Sequence, residues 1–278
     1  NYCNDKQKKE ILPDMVEGKK ISAIAMTEPG TGSDLQNIKT KAIIEGKSIC
    51  LSGSKTFITN GQNADMIIVV AKTDSSKKAK GISLIICESY RKGFKRGKNL
   101  KKIGMKAQDT SELFFEDVIL PVENIIGNKG QGFSQLMDEL PQERLSIAVT
   151  AISAAQAALD WTISYTKHRE AFGRKIIDFQ NTKFVLAKLK TELNVARAYL
   201  DRCIKEHINN NFSAEDGAMA KLWTTDLQFK VLDECLRLHG GYGYMQEYKI
   251  ARAFTDSRVQ RIYGGTNEIM KEIISRSL

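Results

Sequence analysis

The chain has 278 residues, the size of one large domain or of two ordinary ones. Hydrophobic residues make up 42% of it, which is enough for buried cores, and no apolar run approaches the roughly 20 residues that cross a membrane. The net charge of +9 would suit an anionic ligand such as a phosphorylated cofactor or a nucleic acid, although scattered, solvated lysines explain it more simply.

The cysteines and histidines argue against disulfides and metals. Five cysteines are widely spaced, odd in number and without a C-x-x-C pair, which favours a reducing compartment over a disulfide framework. The three histidines lack the i, i+4 spacing of a helical zinc site. We therefore expect no metal.

The first half of the chain has the pattern of β structure. Residues 6–16 read as the end of a helix already under way, and the chain starts without Met, so we expect a piece of a longer protein. Short runs rich in β-branched residues then recur between turn signals, and no long amphipathic helix alternates with them. This predicts a compact barrel or sandwich with strands at Ile21–Met26, Ser48–Leu51, Thr56–Thr59, Met66–Ala71, Ile82–Cys87 and Leu113–Phe115.

After Pro121 the apolar period changes from that of strands to that of helices. Apolar stripes predict four helices, and four such stripes are typical of a helical bundle: Gly132–His168, Asn181–Asn209, Ser213–His239 and a last one from Thr266. The predicted fold is therefore α+β, with a β-barrel or sandwich followed by a four-helix bundle. We place the end of an N-terminal helical domain at 1–19, a middle β domain at 20–125 and a C-terminal helical domain at 126–278.

The loop at Ala25–Leu35 follows a predicted strand and is rich in small and hydroxyl residues. It fails the Rossmann pattern because Leu35 replaces the third glycine and Pro29 stands where strand should lead into helix. Thr27, Ser33 and Phe57–Thr59 combine hydroxyls with an aromatic ring, as a flavin site would. Ordinary strand and turn chemistry explains the same residues and stays open at this point.

Other candidate residues also have two explanations. Glu143, one turn into a helix beside apolar residues, could be a general base with a raised pKa or half of a surface pair with Arg144. Arginines near the Gly-terminated helix end at 168–174 could bind a pyrophosphate or balance the helix dipole. Glycine pairs at 240–241 and 264–265 could turn the chain or admit a flat ligand. Lys55-Thr56 lacks the glycine spacing of a P-loop, and we discard that reading.

Five sequence blocks occur together in one order: Ala25–Leu35, Lys55–Gly61, Arg169–Gln180, Leu238–Tyr244 and Ile262–Met270. With these blocks in this order, the chain resembles the acyl-CoA dehydrogenase family over nearly its whole length. The resemblance implies a flavoprotein that binds FAD and oxidises a fatty acyl-CoA to the trans-2-enoyl-CoA. It also implies electron-transfer flavoprotein as acceptor and a homodimer or homotetramer that shares FAD sites, without a nucleic-acid partner or a membrane span. The expected location is the bacterial cytoplasm or the mitochondrial matrix.

The resemblance assigns FAD contacts position by position. In the β domain these are Ala25, Met26, Thr27, Ser33, Phe57, Ile58 and Thr59; many relatives have Trp where Phe57 stands. Arg169, Phe172 and Gln180 match residues that contact the FAD of a neighbouring subunit. The remaining matches are Arg237, Gly240, Gly241, Thr266 and Glu268; relatives commonly have Gln where Arg237 stands.

The catalytic base follows from two positions taken together. Many family members carry the base directly after the Ile-Tyr pair, where this chain has Gly264. The long-chain and isovaleryl branches instead carry it on a helix, at the position of Glu143, and the Leu140–Leu145 and Ile262–Met270 segments look most like the long-chain branch. The resemblance thus implies Glu143 as base and the Gly264 backbone N–H as a donor to the thioester carbonyl. Implied substrate contacts are Ser33, Gln142, Arg144, Gly264 and Gly265.

Two alternatives share this fold. The net charge of +9 motivates a DNA-binding flavoprotein of the alkylation-response class, which salt-dependent duplex binding would reveal. An acyl-CoA oxidase would release hydrogen peroxide during turnover.

Overall fold

The structure is a computed structural model that describes all 278 residues in two compact units. The first unit comprises residues 1–102 and 106–137, and the second comprises residues 103–105 and 138–278. None of the helices combines the length and the apolar content that crossing a membrane requires. No group of three or more His, Cys, Asp or Glu side chains is arranged to hold a metal ion. The domain limits at residues 19 and 125 remain predictions.

The first unit starts with helix α1, Asp5–Val16. The helix is confirmed, but its reading as the end of a helix already under way is wrong, because Asn4 caps it. The Asn4 side chain accepts from the Gln7 amide at 2.8 Å, and the Asn4 amide donates to the Gln7 side chain at 3.0 Å. This reciprocal capping box satisfies two amides that a helix start otherwise leaves unpaired.

Eight strands form one mixed sheet: β1 Ser22–Ala25, β2 Lys41–Glu45, β3 Ser48–Thr59, β4 Met66–Lys72, β5 Ile82–Glu88, β6 Phe94–Asn99, β7 Thr110–Pro121 and β8 Ile125–Ile126. Their order in the sheet is β6-β7-β3-β2-β4-β5-β8, and β1 pairs with β4 in parallel.

Three of the eight strands were not predicted, and two predicted runs merge. Strands β2 and β8 are short, while β6 is rich in Lys, Arg and Gly, which suits an end strand but resembles a loop in sequence. The predicted runs at 48–51 and 56–59 are one strand, β3, whose pairing with β7 shifts register between Leu51 and Gly53 and between Lys55 and Ile58.

The central strands bury both faces, which explains their nearly continuous apolar sequence. In β4, Ile67 and Val69 belong to one core and Met66 and Val70 to another. The second core also includes Leu136 from the start of the next helix, and Ile11 and Met15 of α1 pack against it. Strand β1 pairs with β4 as far as Ala25, so the buried sheet holds the start of the Ala25–Leu35 loop.

The second unit is helical. Its helices are α2 Gly132–His168 (whose first six residues belong to the first unit), α3 Gln180–Ile208, α4 Ala214–Leu238, α5 Lys249–Ser257 and α6 Asn267–Ser275, and a short hairpin joins α2 to α3 through β9 Glu170–Ala171 and β10 Arg174–Lys175. The three long helices share one core of Leu, Ala, Ile and Cys side chains. The helical domain and the α+β class are confirmed. The expected set of four helices lacked α5, which follows Tyr248 without a side-chain cap and is shorter than the window over which a helical period is recognised.

Candidate active site

The loop after β1 forms a tight turn beside strand β3. The Glu28 amide donates to the Thr31 carbonyl at 2.9 Å, and the Thr31 amide donates back to the Glu28 carbonyl at 3.0 Å. The Thr27 carbonyl accepts from the Thr56 amide at 2.9 Å, so the structure brings Thr27 next to the 57–59 segment. Ala25 is buried, Met26 and Thr27 are half-buried, and Ser33 is exposed. The hydroxyls of Thr27 and Ser33 remain available to a ligand at this loop.

A buried ion pair underlies the loop. Lys55 is fully buried and donates from Nζ to Glu28 Oε1 and to the Met26 carbonyl, both at 2.9 Å. Burial lowers the pKa of Lys55 to about 8. For Glu28 burial is the largest influence and opposes ionisation, yet the hydrogen bond with Thr40 and the charge of Lys55 keep its pKa below the usual value. No sequence pattern indicates this pair, since Lys55 stands out there only as a possible P-loop residue.

We expect Lys55→Met to destabilise the protein by about 3–5 kcal/mol, because it leaves the Glu28 carboxylate buried without its cation. Urea unfolding of the full-length protein measures this change. The matched control is Lys95→Met, which breaks the exposed pair with Glu116 and is expected to cost about 1 kcal/mol or less. Equal losses for the two variants would show that the buried pair does not fix the loop.

Phe57 has a backbone conformation that bulky residues seldom adopt. Its φ is +58°, it lies in the register shift between Lys55 and Ile58, and its side chain is 67% exposed. The bulge turns the ring out of the sheet while Ile58 stays buried and Thr59 is exposed. Strain of this kind, together with an exposed aromatic ring, favours a ligand-binding role, and a flat ring system is a suitable ligand.

The second unit carries the other predicted cofactor residues in two places. Phe172 lies at the tip of the β9–β10 hairpin, 95% exposed and with φ +54°, and Gln180 is the first residue of α3. The Arg169 guanidinium lies 5.7 Å from the centre of the Tyr242 ring, so the structure places Arg169 near the 240–241 turn. Gly240 and Gly241 are exposed, and Arg237 is paired with Glu234 at 3.0 Å. Arg169 and the 240–241 turn thus lie together on an exposed surface.

Thr266 and Glu268 stand at the start of α6. Thr266 is the N-cap residue, and its hydroxyl oxygen accepts from the Ile269 amide at 3.3 Å. A hydrogen bond from its own backbone amide lowers the pKa of Glu268, and Thr266 adds to this effect. The two residues therefore lie together, beside the 264–265 turn.

Glu143 lies on α2, which runs through Pro141 without interruption. Solvent reaches its carboxyl, yet surrounding protein atoms displace much of the water and raise its pKa; the charge of Glu139 raises it further, and Arg144 opposes both. Gln142 instead lines a groove between α2 and α3 with Ile204 and other residues, about 200° around the helix from Arg144. The structure thus separates Gln142 from Arg144.

Removing the charge of Glu139 tests whether that charge contributes to the raised pKa of Glu143. Glu139 precedes Glu143 by one helical turn, and like charges at this spacing repel by about 0.2–0.5 kcal/mol. Because that repulsion raises the pKa of Glu143, Glu139→Gln is expected to move the acidic limb of the pH–rate profile down by about 0.2–0.4 units. A profile of kcat/KM against pH measures the shift, and an upward shift would contradict it.

The turn after Tyr263 contacts the Glu143 face of α2. A Cβ atom at Gly264 would lie 2.6 Å from Ile147 Cδ1, and Ile147 follows Glu143 by one helical turn. Arg144 is buried, and its Nε donates to the Gly264 carbonyl at 3.2 Å. Glu143, Arg144, Gly264 and Gly265 are therefore close together within the second unit. The arrangement places a carboxyl of raised pKa beside a turn whose backbone is held by Arg144.

The sequence matches two family models. Residues 23–118 match "Acyl-CoA dehydrogenase, middle domain" and residues 130–278 match "Acyl-CoA dehydrogenase, C-terminal domain". The chain belongs to the acyl-CoA dehydrogenase family. The 130–278 match includes Glu143, Gly264 and all residues between them.

Individual relatives agree with this assignment. The chain is 51% identical over 280 aligned positions to the mitochondrial long-chain specific acyl-CoA dehydrogenase of Sus scrofa, covering 100% of this chain and 65% of that protein. It thus spans about two thirds of the length of this relative.

Solved structures of acyl-CoA dehydrogenase type share the fold. An acyl-CoA dehydrogenase of Geobacillus kaustophilus superimposes with a TM-score of 0.98 at 47% identity, covering 100% of this chain and 73% of that one. A chain described with the electron transferring flavoprotein of Acidaminococcus fermentans superimposes with a TM-score of 0.95 at 36% identity, covering 99% and 72%.

Proposed function

We propose that the whole protein is an FAD-dependent acyl-CoA dehydrogenase that converts long-chain fatty acyl-CoA to trans-2-enoyl-CoA. The observation that carries this proposal is the contact between the Glu143 face of α2 and the 264–265 turn. It joins a carboxyl of raised pKa to a turn that has no side chain of its own at residue 264. The long-chain relative at 51% identity supports the same substrate class.

The residues present fit FAD. In the first unit the exposed, strained Phe57 ring offers a face for a flat ring system, and the hydroxyls of Thr27 and Ser33 offer polar contacts. In the second unit Arg169 and the exposed 240–241 turn suit the anionic part of the cofactor. When bound, FAD supplies the acceptor for the hydride that leaves the β-carbon.

Glu143 is the proton acceptor in this proposal. Its carboxylate takes the α-proton of the thioester as the C–H electrons become part of the new double bond. A raised pKa makes the carboxylate a stronger base, and proton transfer by a positioned base contributes about 10²–10⁴-fold to a rate. Solvent access to the carboxyl provides a route for the proton to leave afterwards.

The 264–265 turn stabilises the charge that develops on the thioester oxygen. The Gly264 and Gly265 amides have no acceptor within the protein, so they can donate to that oxygen. Arg144 holds the Gly264 carbonyl from the opposite side and keeps the turn in place. Ser33 and Gln142 remain predicted substrate contacts, and Arg144 acts here through the turn.

We further propose electron-transfer flavoprotein as the electron acceptor and a homodimer or homotetramer that shares FAD sites. The exposed Phe172 hairpin and the open Arg169 surface support a subunit contact there. The similarity to a chain described with an electron transferring flavoprotein supports the electron acceptor. A mitochondrial relative supports the matrix as location, with the bacterial cytoplasm as the alternative.

Anaerobic mixing of the full-length protein with long-chain acyl-CoA tests the proposal. We expect the flavin absorption to bleach in one turnover and trans-2-enoyl-CoA to form in equal amount. Reoxidation by electron-transfer flavoprotein, with little hydrogen peroxide in air, would distinguish a dehydrogenase from an oxidase. Unchanged flavin absorption with acyl-CoA of every chain length would refute the proposal, and salt-sensitive retention of duplex DNA would then favour the DNA-binding class.

A further inference from the structure

The backbone of the 264–265 turn is anchored by two buried cations. Arg144 Nε donates to the Gly264 carbonyl at 3.2 Å, and Lys221 Nζ donates to the Gly265 carbonyl at 2.8 Å. In a trans peptide the carbonyl and the following amide point in opposite directions. Anchoring both carbonyls on the core therefore turns the amides of Gly265 and Thr266 away from it and fixes the turn that also carries the Gly264 amide; none of these three amides has an acceptor within the protein.

Lys221 lies in the middle of α4 and is completely buried. Its ammonium also donates to Asn267 Oδ1 at 2.8 Å, and the Asn267 side-chain amide donates to Asp226 Oδ1 at 3.0 Å. Asp226 in turn pairs with Arg261 at 2.7 Å. This network joins α4 to both ends of the turn, since Arg261 precedes it and Asn267 follows it.

Making such a contact with a buried cation costs free energy, because the charge must leave water. Burial lowers the pKa of Lys221 to about 8, and the nearby charge of Arg144 lowers it as well. An apolar side chain of the same length would fill the space without that cost. The lysine is explained if the turn must hold one orientation to within a fraction of an ångström, as donors to a developing charge must.

We propose that Lys221 is a positioning residue, which holds the 264–265 turn so that the Gly264 and Gly265 amides meet the thioester oxygen. The inference rests on the proposed function and deepens it. Lys221 touches neither the substrate nor the cofactor; it acts through the Gly265 carbonyl and Asn267. Nothing in the sequence pattern singles it out, because it lies among the apolar residues of α4.

The test uses full-length, FAD-loaded protein and a long-chain 3-thia-acyl-CoA. In this analogue sulfur replaces the β-carbon, so the α-proton can leave but no hydride follows. The bound enolate gives a long-wavelength absorption with the flavin, and a pH titration gives its midpoint. The variant is Lys221→Met, and the control is Lys230→Met, a partly exposed lysine of the same helix that pairs with Glu192.

We expect wild type and Lys230→Met to share one midpoint and Lys221→Met to have a midpoint about 1–2 units higher, a 10- to 100-fold loss of enolate stabilisation, with FAD content unchanged. A midpoint in Lys221→Met equal to that of wild type would overturn the inference alone. Absence of the absorption in wild type would overturn the proposed function and this inference with it.

If Lys221→Met does not fold, Asn267→Ser decides the question by the same titration. It removes the side-chain oxygen that accepts from Lys221 but keeps a small polar group at the first residue of α6. We expect a smaller upward shift of the midpoint, and an unchanged midpoint in a folded Asn267→Ser protein would refute the positioning role.

Discussion

Replacing Glu143 with Gln is expected to slow flavin bleaching by long-chain acyl-CoA about 10²–10⁴-fold, because glutamine has nearly the same shape but cannot accept the α-proton. Binding should change little, since the substituted side chain would keep the helix and the Arg144 contact with the turn. Stopped-flow bleaching of the full-length protein under anaerobic conditions measures the rate, and a titration with product enoyl-CoA measures the affinity.

The control for this variant is Glu139→Gln, one helical turn earlier. It removes a carboxylate from the same face of α2 and shifts the pKa of Glu143 only slightly, so its bleaching rate near neutral pH should stay within about 3-fold of wild type. Nearly equal rates in Glu143→Gln and wild type would remove Glu143 as the base. The proton acceptor would then have to be another group of the full-length protein.

Local sequence signals predicted the elements that carry the site. The apolar stripe gave α2 with its observed bounds, and Thr266 was recognised as the cap of α6. These features depend on neighbours within a few turns, which a single sequence contains. Strand β6 was missed for the opposite reason, since its place at the end of the sheet depends on pairing with β7 and not on its own composition.

The contacts that shape the site could not be predicted from the sequence. Arg144 and the Gly264 carbonyl are 120 positions apart, and Lys55 and Glu28 are 27 apart. No periodicity connects such pairs, because they meet only after the elements have packed. The same holds for Phe57, whose positive φ results from the register shift between β3 and β7. Family resemblance named Glu143, whereas the structure supplied its pKa and its neighbours.

Gly264→Ala is expected to reduce kcat about 10- to 100-fold. The residue has φ +64°, where a side chain costs about 1–2 kcal/mol, and the new methyl would lie 2.6 Å from Ile147 Cδ1. Ile147 Cδ1 ends a flexible side chain and can move aside, but any part of the strain and of this contact that the turn absorbs moves its amides out of alignment with the thioester oxygen. Single-turnover bleaching at saturating acyl-CoA measures the loss.

Two further variants separate backbone strain from the Ile147 contact. Gly46→Ala introduces a methyl at φ +59° with no atom within 4 Å, so it should lose similar stability and keep full activity. Ile147→Val deletes the Cδ1 atom itself, at a cost of about 0.5–1.5 kcal/mol, and should restore part of the rate when added to Gly264→Ala. If the double variant stayed as slow as Gly264→Ala, strain alone would explain the loss. If the double variant recovered part of the rate, the contact between Ile147 and the turn would explain the loss in Gly264→Ala. That contact would then set the distance between Glu143 and the turn, which act on the same substrate.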